Sequence, residues 1–394
     1  MKNTLNPKYD SNSSRRDFLR NGFLFSAGLA ANLTGCGKRS SVAPQTGKEL
    51  RFFGTGTLHI EGRWQKLEDE LGVKLIFTDN GNDTGPVVSE MIGGTATHDY
   101  DIGGLQGGAE PELAKAGAIL PWDISKIPNY SSLWQWAIKD MKHLHFESQQ
   151  FGIPAVINAD SVIYLEKETG VVDSYHSIFD PKFKGKTSME DAWINSAIFA
   201  AIYLKENNLQ KINNPGDLSE SELGGVMEFL IKKKKEGQFL RFWSGWEDGL
   251  NLIKSRQVVA MTGWEPIVYA AQKTVPDVRY AVPKEGYEGW SNNLVLHKGA
   301  AKNNRADLAH QFVNWELSGF YGFTLAQMRG YCVPSSLSKE YAEKLGTEEG
   351  KRVVEILNRV EGKFKEKKGL TYWQNVRPTH HKLYDDWWSK LRAA

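Results

Sequence analysis

The chain has 394 residues, 40% of them hydrophobic and 24% charged, with a formal net charge of +2. That length accommodates two domains with proper cores, the balance is that of a soluble protein, and the near-neutral charge excludes the basic footprint of a nucleic-acid binder. Two cysteines exclude cysteine-ligated zinc and iron–sulfur centres, whereas thirteen tryptophans are a high count, and some of them are expected to line a site.

The first 35 residues hold five Lys/Arg and two Asp, so without them the charge falls from +2 to −1. Ser14-Arg15-Arg16-Asp17-Phe18-Leu19-Arg20 resembles the twin-arginine export signal, and the apolar run at 22–31 is too short to stay in a bilayer as a spanning helix. Leu33-Thr34-Gly35-Cys36 resembles the lipobox of bacterial lipoproteins, in which the cysteine is lipidated and becomes the new N-terminus. The expectation is a signal peptide over 1–35, a lipid anchor on Cys36, a flexible tether over 36–48 and a periplasmic or other extracytoplasmic location at the membrane. Cys332 then has no disulfide partner, which cores of this size make unnecessary.

Residues 50–53 read as a first strand, 54–57 as its loop, 64–71 as a helix and 73–77 as the second strand. A helix at 84–91, a third strand at 99–102 and a helix at 110–116 follow, and strands alternating with helices imply a parallel sheet. The apolar stretch 151–165 reads as a strand crossing to a second lobe, with helices at 188–205, 222–235 and 246–255. The chain crosses back around 278–296, forms helices at 307–317 and 319–328, and ends in a charged helical tail carrying Trp387 and Trp388.

The stretch 258–296 organises this pattern. A buried strand at 258–261 stops at Thr262-Gly263, Trp264 stands at its end, and Glu265-Pro266 opens a helix, since proline suits a first turn. A second strand at 278–282, a turn at 283–289, Trp290 and a third strand from Leu294 follow. Both tryptophans are thus expected at loop positions beside strand ends, where open α/β sheets place ligands.

With the leader and the double crossover, the chain resembles extracellular solute-binding proteins of ABC importers, most closely the spermidine/putrescine-binding branch. The likeness rests on Tyr100-Asp101-Ile102, Gly152-Ile153-Pro154, Phe183-Lys184-Gly185, Val282-Pro283-Lys284-Glu285-Gly286, Gly330-Tyr331 before Pro334, and Trp373-Gln374-Asn375, in that order. It implies an α/β, two-lobed Venus-flytrap fold of periplasmic binding proteins with crossover hinge strands. The first lobe is expected over 49–155 and 283–335, and the second over 156–282 with 336–394 as C-terminal helices. It also implies a monomer without cofactor or metal that hands a small amine-containing ligand to a membrane permease and its ATPase. In that branch, aromatic rings sandwich the ligand's methylene chain while carboxylates hold its ammonium groups, as cation–π attraction and the need to pair a buried charge require.

Position by position, Trp264 and Trp290 match stacking tryptophans, Tyr331 a contacting tyrosine, Gln374 an amine-binding glutamine and Asp191 an amine-binding aspartate. Ile194 and Asn292 stand where the branch has two further carboxylates, and the loops containing Thr55 and Gln106 lack its aromatic and hydroxyl residues. The resemblance therefore implies retained aromatic contacts with fewer charges, which suits a single-cation or zwitterionic ligand as well as a polyamine. Glu265, Glu247 or Asp248 would supply replacement charge; otherwise Glu265 caps its helix and the other two are surface acids. Three rivals remain: an exported enzyme, a ferric-ion binder and a sensory binding subunit. The chain has no nucleophile elbow, zincin motif or phosphate loop and no Tyr-Tyr pair, while His143 with His145 and His380-His381 read either as metal-ligand pairs or as surface histidines.

Overall fold

The computed structural model describes residues 48–394 apart from 82, 95–99, 140 and 367–370, so the expected signal peptide, Cys36 and nearly all of the tether lie outside the described residues. The described strands are β1 (Lys48–Gly54), β2 (Val73–Asp79), β3 (Ile102–Gln106), β4 (Ile119–Leu120), β5 (His145–Phe146), β6 (Gln149–Gln150) and β7 (Gly152–Leu165). They continue with β8 (Thr187–Glu190), β9 (Phe239–Trp243), β10 (Ala260–Gly263), β11 (Val278–Tyr280), β12 (Tyr287–His297) and β13 (Thr371–Trp373). Their order is β2-β1-β3-β12-β7-β10-β8-β9, with β4 and β13 added on β12 and β11 on β7; β5 and β6 pair separately.

β7 joins two lobes. Its residues up to Asp160 pair antiparallel with β12, and from Ser161 onward it pairs with β10 and β11 instead. On the first side β1 runs parallel to β2 and β3; on the second β8 runs parallel to β9 and β10. Each half has apolar cover on both faces. Phe52, Trp122, Ile153, Leu294 and Phe312 form one core of the first lobe, while Val87, Leu105, Phe151 and Val295 pack on its other face. Val162, Tyr175, Phe199 and Leu223 form one core of the second lobe, with Ile163, Trp243, Met261 and Ile267 opposite. A strand covered on both faces reads as a near-continuous apolar run, and all 14 residues of β7 are buried.

Three expectations change. Residues 188–190 belong to β8, and the helix starts later, at Trp193–Glu206. The third strand begins at Ile102. β12 reaches back to Tyr287, so Trp290 lies within a strand and not in a loop. The segment from Glu288 to Asn293 has few apolar side chains to signal a strand; pairing with β7 extends it.

The tail divides differently from the expected boundary at 336. Helices Ser336–Leu345 and Glu348–Glu366 place Ala342, Val353, Leu357, Val360 and Phe364 in the first lobe's core. Only helix His381–Ala393 joins the second, through Tyr384, Trp388 and Leu391. Helical periodicity marks an apolar face, but not the lobe that covers it.

Candidate ligand-binding site

Asp160 and Glu288 are buried acids directly opposite one another in the β7–β12 register, with Trp290 opposite Asn158. In an antiparallel pair such partners share a face, and alternation adds Asn292 and Gln106, opposite each other in the β3–β12 register. One sheet face therefore carries Gln106, Asn292, Trp290, Asn158, Glu288 and Asp160 across the lobe junction.

Other elements close on this face. Trp264 ends β10 and caps helix Glu265–Gln272 in extended conformation, its half-buried ring edge-on to Trp243 at 5.1 Å between centroids. Tyr331 meets Trp290 edge-to-face at 5.3 Å and 86°, pinned by the donation of Ile157 N to Cys332 O at 2.9 Å. Gln374 hangs on β12 through its backbone N–H to Gly289 O at 2.7 Å, and its Nε2 donates to Glu288 Oε1 at 3.2 Å and to Asn195 Oδ1. Glu190 ends β8 and accepts from Asn195 Nδ2, with the Trp264 indole N–H facing its carboxylate.

The electrostatics set this cluster apart. Burial pushes Glu190 up to about 7 against its Asn195 and Trp264 donors, with Asp191 adding to the rise. Burial, reinforced by the mutual repulsion of Asp160, Glu190 and Glu288, holds Asp160 and Glu288 above the usual carboxylate range; Lys363 and Trp290 oppose the rise at Asp160. Glu288 Oε2 has no hydrogen-bond partner among the described residues. Acidic groups raised by burial are poised to ionise when a cation arrives.

A cleft of about 860 Å³ reaches Gln374, lined by Trp136, Lys139 and His143 on one side and by Asn213 and Asp217 on the other. This volume suits a small solute. Gln374 is common to the cleft and the carboxylate cluster.

Tyr331 packs on Trp290, and Gln374 is linked to Trp264 through Asn195 and Glu190, but the expected acids point elsewhere. Asp191 turns to the terminal helix, accepting from Trp388 Nε1 at 2.9 Å and Arg392 Nε at 2.8 Å. Successive residues of an extended chain point to opposite sides, so Glu190 takes the interior position. Glu265 is buried yet faces Arg359 Nε at 2.8 Å and Lys363 Nζ at 2.5 Å; these two cations hold it below the usual range despite burial. Asp248 pairs with Arg241 at the surface. Thr55, Asn80, Thr84 and Gln106 line a separate small recess in the first lobe, and Thr55 Oγ1 and Asn292 Oδ1 lack partners among the described residues. Sequence reasoning missed Asp160, Glu190, Glu288, Asn195 and Lys363. The available signal was a lone acid inside an apolar strand, as in Ile157-Asn158-Ala159-Asp160-Ser161-Val162. Among the described residues no group of three or more His, Cys, Asp or Glu is placed to hold a metal ion.

Solved structures share the fold. A putative spermidine/putrescine ABC transporter from Listeria monocytogenes is 17% identical at a TM-score of 0.65, over 88% of this chain and 99% of that one. The spermidine/putrescine ABC transporter substrate-binding protein PotD from Streptococcus pneumoniae is 16% identical at 0.67, over 88% and 99%. The Tp0655 (TpPotD) lipoprotein of Treponema pallidum is 14% identical at 0.69, over 88% and 100%. At these identities the likeness establishes the two-lobed binding-protein fold. The profile of the family described as bacterial extracellular solute-binding protein matches residues 66–345, most of the chain, and the chain belongs to that family.

Proposed function

We propose that this protein captures a small organic amine between its lobes and delivers it to the permease of an ABC importer. The observation that carries this reading is the convergence of Asp160, Glu190 and Glu288 with Trp264, Trp290 and Tyr331. Indole faces attract cations and apolar methylenes, and buried carboxylates require a cationic partner. The loss of carboxylates at Ile194 and Asn292 leaves a single-cation or zwitterionic ligand open beside a polyamine. Three other acids at the site favour a ligand with more than one ammonium group. Similarity of fold to the polyamine-binding structures supports the same class.

The leader motifs support export and anchoring through a lipid on Cys36, which places capture outside the cytoplasm. Among the described residues no helix is long and apolar enough to cross a membrane. Calorimetric titration with putrescine, spermidine, a quaternary ammonium compound and a zwitterionic amino acid tests the ligand class. Tight binding of the di- or triamine is expected. Binding of the amino acid alone, or of none of the four, overturns the amine reading.

A further inference from the structure

Helix Glu348–Glu366 packs an apolar face on the first lobe, and on it Lys363 is 6% exposed, a rare burial for lysine. Its Nζ donates to Ala159 O at 2.9 Å, Asn158 Oδ1 at 3.1 Å and Glu265 Oε2 at 2.5 Å. These contacts use all three protons of an ammonium. The same Nζ lies 4.8 Å from the centre of the Tyr280 ring, and the Tyr280 hydroxyl is 3.3 Å from Asp160 Oδ1. A carboxylate, two carbonyl oxygens and an aromatic face are what an amine site offers a ligand; here they hold a side chain of the protein, one residue from Asp160.

We propose that Lys363 is the resident cation of the amine site and fixes how many positive charges a ligand must bring. The inference rests on the amine reading above. Glu288 lies opposite Asp160 in the strand register, Asp160 is acted on by Glu190 and Glu265 as well, and the cations acting on this group are Lys363 and, through Glu265, Arg359. Arg359 at 2.8 Å and the Tyr269 hydroxyl share Oε1 of Glu265 and leave Oε2 to Lys363, whose field extends beyond that pair to Asp160. With Lys363 in place the cluster lacks two positive charges, which a diamine supplies. Without Lys363 it lacks three. Lys363 is thus a specificity-determining residue that acts through the carboxylates, without needing to touch the ligand.

The test is titration of butylamine, putrescine and spermidine into wild type, K363M, K363R, E265Q and K363M/E265Q, with a thermal melt of each. The ratio of spermidine to putrescine affinity is expected to rise tenfold or more in K363M and to stay at the wild-type value in K363R. It returns to that value in K363M/E265Q, which removes one charge of each sign. In E265Q the shift runs the other way, with butylamine gaining on putrescine, and this arm decides the matter if K363M does not fold. A folded K363M with the wild-type ratio overturns the proposal, as does a double variant shifted as far as K363M, or an E265Q without the opposite shift. A wild type that binds no amine refutes the amine reading itself, a separate outcome from these.

Discussion

Exchanging Glu190 for Gln, and separately Asp191 for Asn, tests which carboxylate of this adjacent pair serves the ligand. Glu190 is held by Asn195 and faced by the Trp264 indole, in a cluster whose burial raises it to about 7. A hydrogen bond to a charged group contributes about 1.5–3 kcal/mol. Losing it to a bound ammonium weakens binding roughly 10- to 150-fold, since 1.4 kcal/mol is a factor of ten. Glu190→Gln also removes a charge that is expensive to bury, so the ligand-free melting temperature at pH 8 is expected to hold or rise. Asp191→Asn keeps an acceptor for Trp388 and loses only the charge facing Arg392, whose side chain is 57% exposed. Exposed pairs contribute about 0.2–1 kcal/mol, so stability falls by no more than that and affinity changes less than about twofold. Calorimetric titration and a melt of each variant supply the numbers. A Glu190→Gln protein that binds amines as wild type does, or an Asp191→Asn protein that loses tenfold, refutes the assignment of Glu190 to the interior.

Other outcomes follow from the same geometry. Glu190, Asp160 and Glu288 are raised in the folded state, so the ligand-free fold holds more protons than the unfolded chain. Their contribution to stability is then greatest below the unfolded carboxylate values near ~4 and declines as pH rises through the folded ones, Glu190 at about 7 among them. Affinity for a permanently charged amine should climb over that same rise, as measured by titrations at pH 6 and 8; a flat profile would count against proton-loaded acids. Trp264→Ala and Trp290→Ala should each weaken binding by more than ~1 kcal/mol. Each should destabilise the fold less than Trp243→Ala, because Trp243 is 0% exposed and its Nε1 donates to Thr262 O at 3.0 Å, and deleting such a core indole costs roughly 3–5 kcal/mol. Cys36→Ala should move the protein from the membrane to the soluble fraction on fractionation, and a variant that stays with the membrane would rule out the lipid anchor.

The junction that carries Trp264 was legible in the chain. Trp264 follows a short apolar run and precedes Glu265-Pro266, a junction that local rules predict and the fold contains. The apolar length of β7 likewise announced a buried crossover strand. The acids were not legible, because which of two neighbours faces inward depends on strand phase and on what packs behind. Glu190 and Asp191 are equivalent as letters; Trp388 and Arg392, nearly two hundred residues away in sequence, claim one of them and leave the other for the site.

Composition, hydrophobic spacing and turn residues therefore determined the α/β class and the alternation of strands and helices, since these depend on local periodicity, and the two-lobed plan was implied by the resemblance to solute-binding proteins. Long-range pairing decided the rest. Only the β7–β12 register sets Asp160 against Glu288. Only the docking of helix Glu348–Glu366 on the first lobe brings Lys363 to the hinge and turns Glu265 from a replacement ligand into its partner. The charge of a buried site depends on distances between groups far apart in sequence, and Coulomb energy at low dielectric makes those distances decisive.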